Sequence, residues 1–452
     1  MCREANVKSL TLLMSLLLSS VAFGSTVAII DSGTDMLHKE IHPQAWFNPV
    51  DSSINDRDED RNGYQDDVHG WNFAESNNKV IDYSYLGRLN DDTRKFFEIQ
   101  ERMMRGTASD EDVDWLKAKV SDQDFIKNLQ VYGNFMHGTH VAGISAKLAP
   151  EAKILAVKLI PTEVKLPFTI TKNQVENGLG MFLLKQGLGA LAKQQMKLMV
   201  EIGAYVDGHA VDVANGSFGT GYAQAEMIVG ALAKTILRRD PTEEETKELC
   251  LHFLNTLIKE GLHFVNEAQN TLFVFAAGND GANNDQYPTS PANIDAPNVI
   301  TVAATMDRND LAPFSNYGAN RVHVAAPGVG IESAVPGNNY LKVSGTSQAA
   351  PYVAGVAAAI KDANPELSPV EIKKIIMKSV DYRGFLKDKV ATSGLINSKR
   401  AVMTAELTTK MPLAEALRQA RGRVGDVESE KSEMGPSQYV PGMILPMPSM
   451  FK

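Results

Sequence analysis

Gly345-Thr346-Ser347-Gln348-Ala349-Ala350-Pro351-Tyr352-Val353-Ala354-Gly355-Val356-Ala357-Ala358-Ala359-Ile360 is the stretch on which the fold turns. Proline suits the first turn of a helix and not its interior, so the pattern predicts a helix from near Ser347 to about Asp362. Nearly every residue after Pro351 is small or aliphatic. A helix with no polar face packs inside a protein. Ser347 then stands at the amino end, where unpaired N–H groups and the positive end of the macrodipole favour negative charge. That placement suits a nucleophile beside which an oxyanion forms. A capped core helix would look the same in isolation, so the rest of the chain has to decide.

The chain has 452 residues, 44% of them hydrophobic, with a formal charge of −9 and a pI near 5.6. That length allows two or three domains or one elaborated domain. The acidic balance, with no run of Lys and Arg interleaved with aromatics, argues against a nucleic-acid partner. At the amino end, Arg3 and Lys8 precede an apolar run over residues 10–18 and the small Ala22 and Gly24. This reads as a signal peptide over residues 1–24, with cleavage near Ser25 and export to a periplasm or outside the cell. The run is short for a membrane span, so no membrane partner is expected after cleavage. Cys250 sits among Leu249, Phe253, Leu254 and Leu257 at helical spacing and reads as a core thiol, with no disulfide.

Residues 26–33 form a β-branched run that ends in Asp31-Ser32-Gly33, a buried strand with Asp31 at its carboxyl end. In open α/β sheets that is where functional crevices lie. In the next acidic stretch, Asp58, Asp60, Asn62 and Asp66 have the spacing of a calcium loop that turns at Gly63. His69 stands where an EF-hand needs a bidentate Glu, which excludes that motif. A simpler structural calcium loop and a solvated acidic turn both stay open. A helical insertion is predicted over about 84–130, with Phe96, Phe97, Met103, Met104, Trp115 and Leu116 as a small satellite core.

His137-Gly138-Thr139-His140 lacks the spacing and the Glu of a zinc protease, so His137 is better read as a general base. Helices are predicted over 190–205, 223–237 and 241–259, the last capped by Asp240 and stopped by Gly261. Strands over 210–214 and 271–277 run into Asn215-Gly216-Ser217-Phe218-Gly219 and Gly278-Asn279-Asp280-Gly281. Such alternation implies a parallel sheet covered on both faces.

Ile30-Asp31-Ser32-Gly33, His137-Gly138-Thr139-His140-Val141-Ala142-Gly143, Ala276-Ala277-Gly278-Asn279 and Gly345-Thr346-Ser347 resemble the motifs of the subtilisin-like serine proteases, in that family's order. The resemblance runs from about residue 26 to 405. It implies a subtilisin-like three-layer α/β/α fold with a mostly parallel sheet, and an endopeptidase with Asp31, His137 and Ser347 as its triad. It assigns the oxyanion donors to Asn279 and the Ser347 N–H. It lays an extended protein or peptide substrate beside Ser217, Phe218 and Gly219, with a side-chain pocket toward Ala276, Ala277 and Gly278 and Gln286 near its base. Catalysis would need no cofactor. A peptide-binding module with an idle triad is the alternative, since fold alone does not establish function. Residues 25–405 would form the peptidase domain, and residues 406–452 a helix at 411–424 followed by a flexible tail. The family's usual propeptide has no room between Ser25 and the first strand, so control is expected from the insertion or the tail.

Overall fold

Strand β1 (Thr26–Asp31) divides its side chains between two cores. Val27 and Ile29 join one, Ala28 and Ile30 the other, as the period of two requires. The computed structural model describes residues 24–163, 180–237, 239–428, 437–440, 443–445 and 447–449. After β1 come β2 (Gly70–Asn72), α1 (Asp91–Arg105), α2 (Asp110–Val120), α3 (Gln123–Leu148), β3 (Lys153–Lys158) and α4 (Gly180–Gly208). Next are β4 (Val213–Gly216), α5 (Tyr222–Leu237), α6 (Glu243–Glu267), β5 (Leu272–Ala276), β6 (Val299–Met306), β7 (Asp310–Leu311) and β8 (Val324–Pro327). The chain continues through the hairpin β9 (Ile331–Val335) and β10 (Asn339–Val343), then α7 (Thr346–Ala363) and α8 (Pro369–Lys378). It closes with β11 (Asp381–Tyr382), β12 (Gly394–Leu395), α9 (Ser398–Thr408) and α10 (Leu413–Arg423).

The main sheet has the order β11-β12-β8-β6-β5-β4-β1-β3-β2. From β12 to β2 every neighbouring pair is parallel. Helices α3, α7, α8 and α9 pack on one face and α4, α5 and α6 on the other, giving three α/β/α layers. Because β3 and β4 flank β1, the strand order reverses there, and a crevice opens beyond the carboxyl ends. Among the described residues, no helix is long and apolar enough to cross a membrane.

Several boundaries differ from the sequence expectation, each for a local reason. Helix α6 is capped by Thr242 in a capping box with Glu245, not by Asp240. It also runs straight through Gly261. A Cβ on Gly261 would lie 2.7 Å from Ile294 Cδ1, so this glycine serves close packing and not a stop. Helix α3 carries the His137 motif inside it, well past the expected end of the insertion at 130. The satellite core forms as expected from Phe96, Phe97, Met103, Leu116 and Trp115, but Met104 turns into the main core. Pro351 lies in the second turn of α7 and removes the N–H that would bond the Ser347 carbonyl. The Ser217 hydroxyl takes that carbonyl instead, at 3.0 Å.

Candidate active site

Asp31 ends β1 fully buried, and its Oδ1 accepts from His137 Nδ1 at 2.7 Å and from Ser32 N at 2.7 Å. A carboxylate only accepts, so the proton of that contact sits on Nδ1 and Nε2 is left as the basic nitrogen. The approach depends on Gly138, where a Cβ would stand 2.3 Å from the Gly33 carbonyl oxygen. Helix α3 can therefore lie directly over the end of β1. His140, one turn on, is fully buried and bonds the Leu341 carbonyl at 3.0 Å. Burial drives its pKa down to about 3, so it is a neutral core histidine and no second base.

Ser347 lies in the first turn of α7, where a helix leaves its backbone N–H groups unpaired. Its hydroxyl donates to the Ser217 carbonyl at 3.2 Å. Among the described residues no hydrogen bond joins it to His137, although both line one cavity with Asn279. Asn279 follows β5, and its Oδ1 accepts from Thr346 N at 2.9 Å and Thr346 Oγ1 at 2.8 Å. That grip leaves Nδ2 as the donor side of the amide. Thr346 Oγ1 also accepts from Gly278 N at 3.2 Å, tying the loop after β5 to the start of α7. Gly278 has φ +122°, and a Cβ there would meet Asn316 Nδ2 at 2.2 Å. Asn316 in turn holds the loop by accepting from Asp280 N and Ala282 N. Neither Thr346 nor Asn316 was singled out by sequence, though Thr346 stands in a motif quoted there.

The residues expected to hold substrate divide. Ser217 bonds Ser347 through both its hydroxyl and its carbonyl and Gly219 N donates to the Pro448 carbonyl, whereas the Phe218 ring is buried in the core beneath α4–α6. Ala276 and Ala277 are also core side chains, so only backbone along 276–278 can face a ligand. Gln286 is exposed and does not form a pocket base. Asn284 and Thr289, both buried, brace this loop instead by accepting from Asn316 Nδ2 at 3.0 and 3.3 Å.

In the acidic loop, Asp58 and Asp60 come together, but the third carboxylate beside them is Asp51. Oxygens of these three lie within 4.8 Å of one another. Asp51 is fully buried and its Oδ1 has no hydrogen-bond partner. Burial, followed by Glu59, raises its pKa to about 6. Asn62 Oδ1 accepts from Tyr64 N, the oxygens of Asp66 from Asn55 N and Asp56 N, those of Asp58 from Asn62 N and Gly63 N, and those of Asp60 from Asn62 N and Asn48 Nδ2, so Asp51 Oδ1 is the buried oxygen of the cluster left open. Asp66 is thus a staple of the loop backbone. A cluster of hard oxygens with one buried and unsatisfied suits a calcium-sized cation.

A model of the subtilase family matches residues 23–402. Alkaline elastase YaB of Bacillus sp. (strain YaB) is 42% identical over 134 residues, which cover 30% of this chain and 33% of that protein. Subtilisin BL of Lederbergia lenta is 29% identical over 274 residues, 59% of this chain and 77% of the relative. Among solved structures, a cold adapted subtilisin-like serine proteinase aligns over 83% of this chain and 89% of its own, with TM-score 0.44 and 20% identity.

Proposed function

This chain belongs to the subtilase family, and from that premise we propose that it is an exported serine endopeptidase acting through Asp31, His137 and Ser347. The observation that carries the reading is the 2.7 Å bond from His137 Nδ1 to buried Asp31, with His137 sharing a cavity with Ser347 and Asn279. Asp31 fixes the tautomer, so His137 Nε2 can take the Ser347 proton as the hydroxyl attacks a peptide carbonyl. The hydroxyl first leaves the Ser217 carbonyl. The tetrahedral oxyanion would then meet Asn279 Nδ2 and the Ser347 N–H at the positive end of α7. His137 returns the proton to the leaving amine, and water repeats the sequence on the acyl-enzyme. Ser347→Ala, His137→Ala and Asp31→Asn should each remove most hydrolysis of a chromogenic peptide without unfolding the protein. For the serine the loss is roughly a million-fold, the size known for subtilisin itself. Full activity in any one variant would strike that residue from the triad.

We also propose a structural calcium site on Asp51, Asp58 and Asp60, supported by the unsatisfied Asp51 oxygen. The leader behind the proposed export lies outside the described residues except for Gly24.

A further inference from the structure

Far from trailing away as a flexible tail, the described part of the carboxyl-terminal segment lies in the groove. Gln438 N donates to the Met103 carbonyl at 2.9 Å, and Gln100 Nε2 donates to the Met443 carbonyl at 2.6 Å. Further on, a Cβ on Gly133 would lie 2.9 Å from Leu445 Cδ1. Ile444 and Met447 are buried in the core formed with α3 and α7. Met447 Sδ sits 3.8 Å from Thr346 Oγ1, and its carbonyl accepts from Gln224 Nε2 at 3.3 Å. Gly219 N donates to the Pro448 carbonyl at 3.0 Å, and the Thr220 and Ser449 hydroxyls bond at 3.2 Å. The segment therefore crosses from α1, past His137 and Ser347, to the strand edge expected to hold substrate. Leu445, Met447 and Pro448 wall the catalytic cavity and leave about 40 Å³ in it. That admits a few waters and no peptide.

We propose that the segment bearing Leu445, Met447 and Pro448 is an intramolecular inhibitor of the peptidase site. The proposal rests on the peptidase reading above. Three observations make the segment an inhibitor and not a substrate caught before cleavage. Its Met443, Met447 and Pro448 carbonyls are held by Gln100, Gln224 and Gly219. Among the described residues, none bonds Asn279 or the Ser347 N–H, so no carbonyl is offered for attack. The Ser347 hydroxyl meanwhile donates to Ser217. Tethering supplies the strength. At an effective concentration of about a millimolar for a tethered segment, a free-peptide Kd of about 0.1 mM would correspond to about tenfold inhibition within the chain. The same contacts name the chemistry that the pocket beside Thr346 and Gly219 takes, an unbranched apolar side chain such as methionine.

The full-length protein and its Leu445→Asp/Met447→Asp variant are compared for hydrolysis of a short chromogenic peptide and for fluorophosphonate labelling of Ser347. Both rates should rise tenfold or more in the variant. A synthetic peptide of residues 437–452 added to the variant should reverse the gain by raising KM with kcat unchanged. If the double variant does not fold, Gln100→Ala and Gln224→Ala carry the test and should each accelerate labelling. Equal labelling of wild type and variant overturns the inhibitor and leaves the peptidase standing. No labelling of either protein overturns both.

Discussion

Thr346 sits between the two groups on which the chemistry would depend. Its hydroxyl donates to Asn279 Oδ1 and accepts from Gly278 N, and its own N–H bonds the same Asn279 oxygen. The orientation of the oxyanion amide thus rests on a residue outside the triad. Thr346→Val keeps the shape and removes the hydroxyl, so kcat should fall while KM holds. The loss should stay below the hundred- to thousand-fold known when subtilisin lacks the Asn donor itself. Thr346→Ser should restore most of it. An unchanged kcat in Thr346→Val would show that backbone alone positions Asn279. This role was not legible in the sequence, because it exists only where the loop after β5 meets the start of α7. Asp31, His137, Asn279 and Ser347 were legible, since each lies in a short motif whose neighbours, such as Gly138 and Gly278, are demanded by close approach of the Gly33 carbonyl and the Asn316 side chain.

At the scale of elements, the acidic loop before β2 separates spacing from geometry. The alternation of Asp58, Asp60 and Asn62 is visible along the chain, but Asp51, which carries the open buried oxygen, joins Asp58 and Asp60 only when the loop folds back. A calcium ion held by the folded loop stabilises by mass action, about 2.7 kcal/mol at a hundred-fold excess over Kd. Chelation should therefore lower the melting midpoint, and Asp51→Asn should remove the difference. The pH dependence has a definite sign. Without the cation, folded Asp51 keeps its proton up to about pH 6, above its ordinary value of 3.8, so metal-free stability falls as pH rises through that window. A cation must displace the proton, so the gap between calcium-loaded and chelated protein should be small near pH 5 and full above pH 7. Equal midpoints at pH 8 would leave the loop merely acidic. Gly261 gives the converse lesson at this scale. Read alone it suggests a helix stop, yet it is the thin point at which α6 crosses Ile294.

For the whole molecule, the first and last described stretches both pack against the domain. Ser25 N lies 2.6 Å from Asp362 Oδ1 at the far end of α7, and burial raises the Asp362 pKa. If the leader is removed before Ser25, the new ammonium would pair with that carboxylate. Intact-mass measurement of the exported protein should place its amino terminus at Ser25, and Asp362→Asn should lower its melting midpoint. A terminus beyond Asp31 in an active protein would contradict the triad. The carboxyl-terminal segment was the least legible part of the chain. Its Met, Pro, Ser and Gly composition reads as unstructured, because the groove that receives Ile444, Leu445 and Met447 does not exist until α1, α3 and α7 have packed.

The central claim is that Ser347 is a nucleophile activated by His137. The direct measurement is fluorophosphonate labelling of the full-length protein and its Leu445→Asp/Met447→Asp variant, with the adduct located by peptide mass spectrometry. One adduct is expected, on the peptide containing Ser347, lost in Ser347→Ala and strongly slowed in His137→Ala. An adduct that persists in Ser347→Ala, or none in any folded form of the protein, would contradict it.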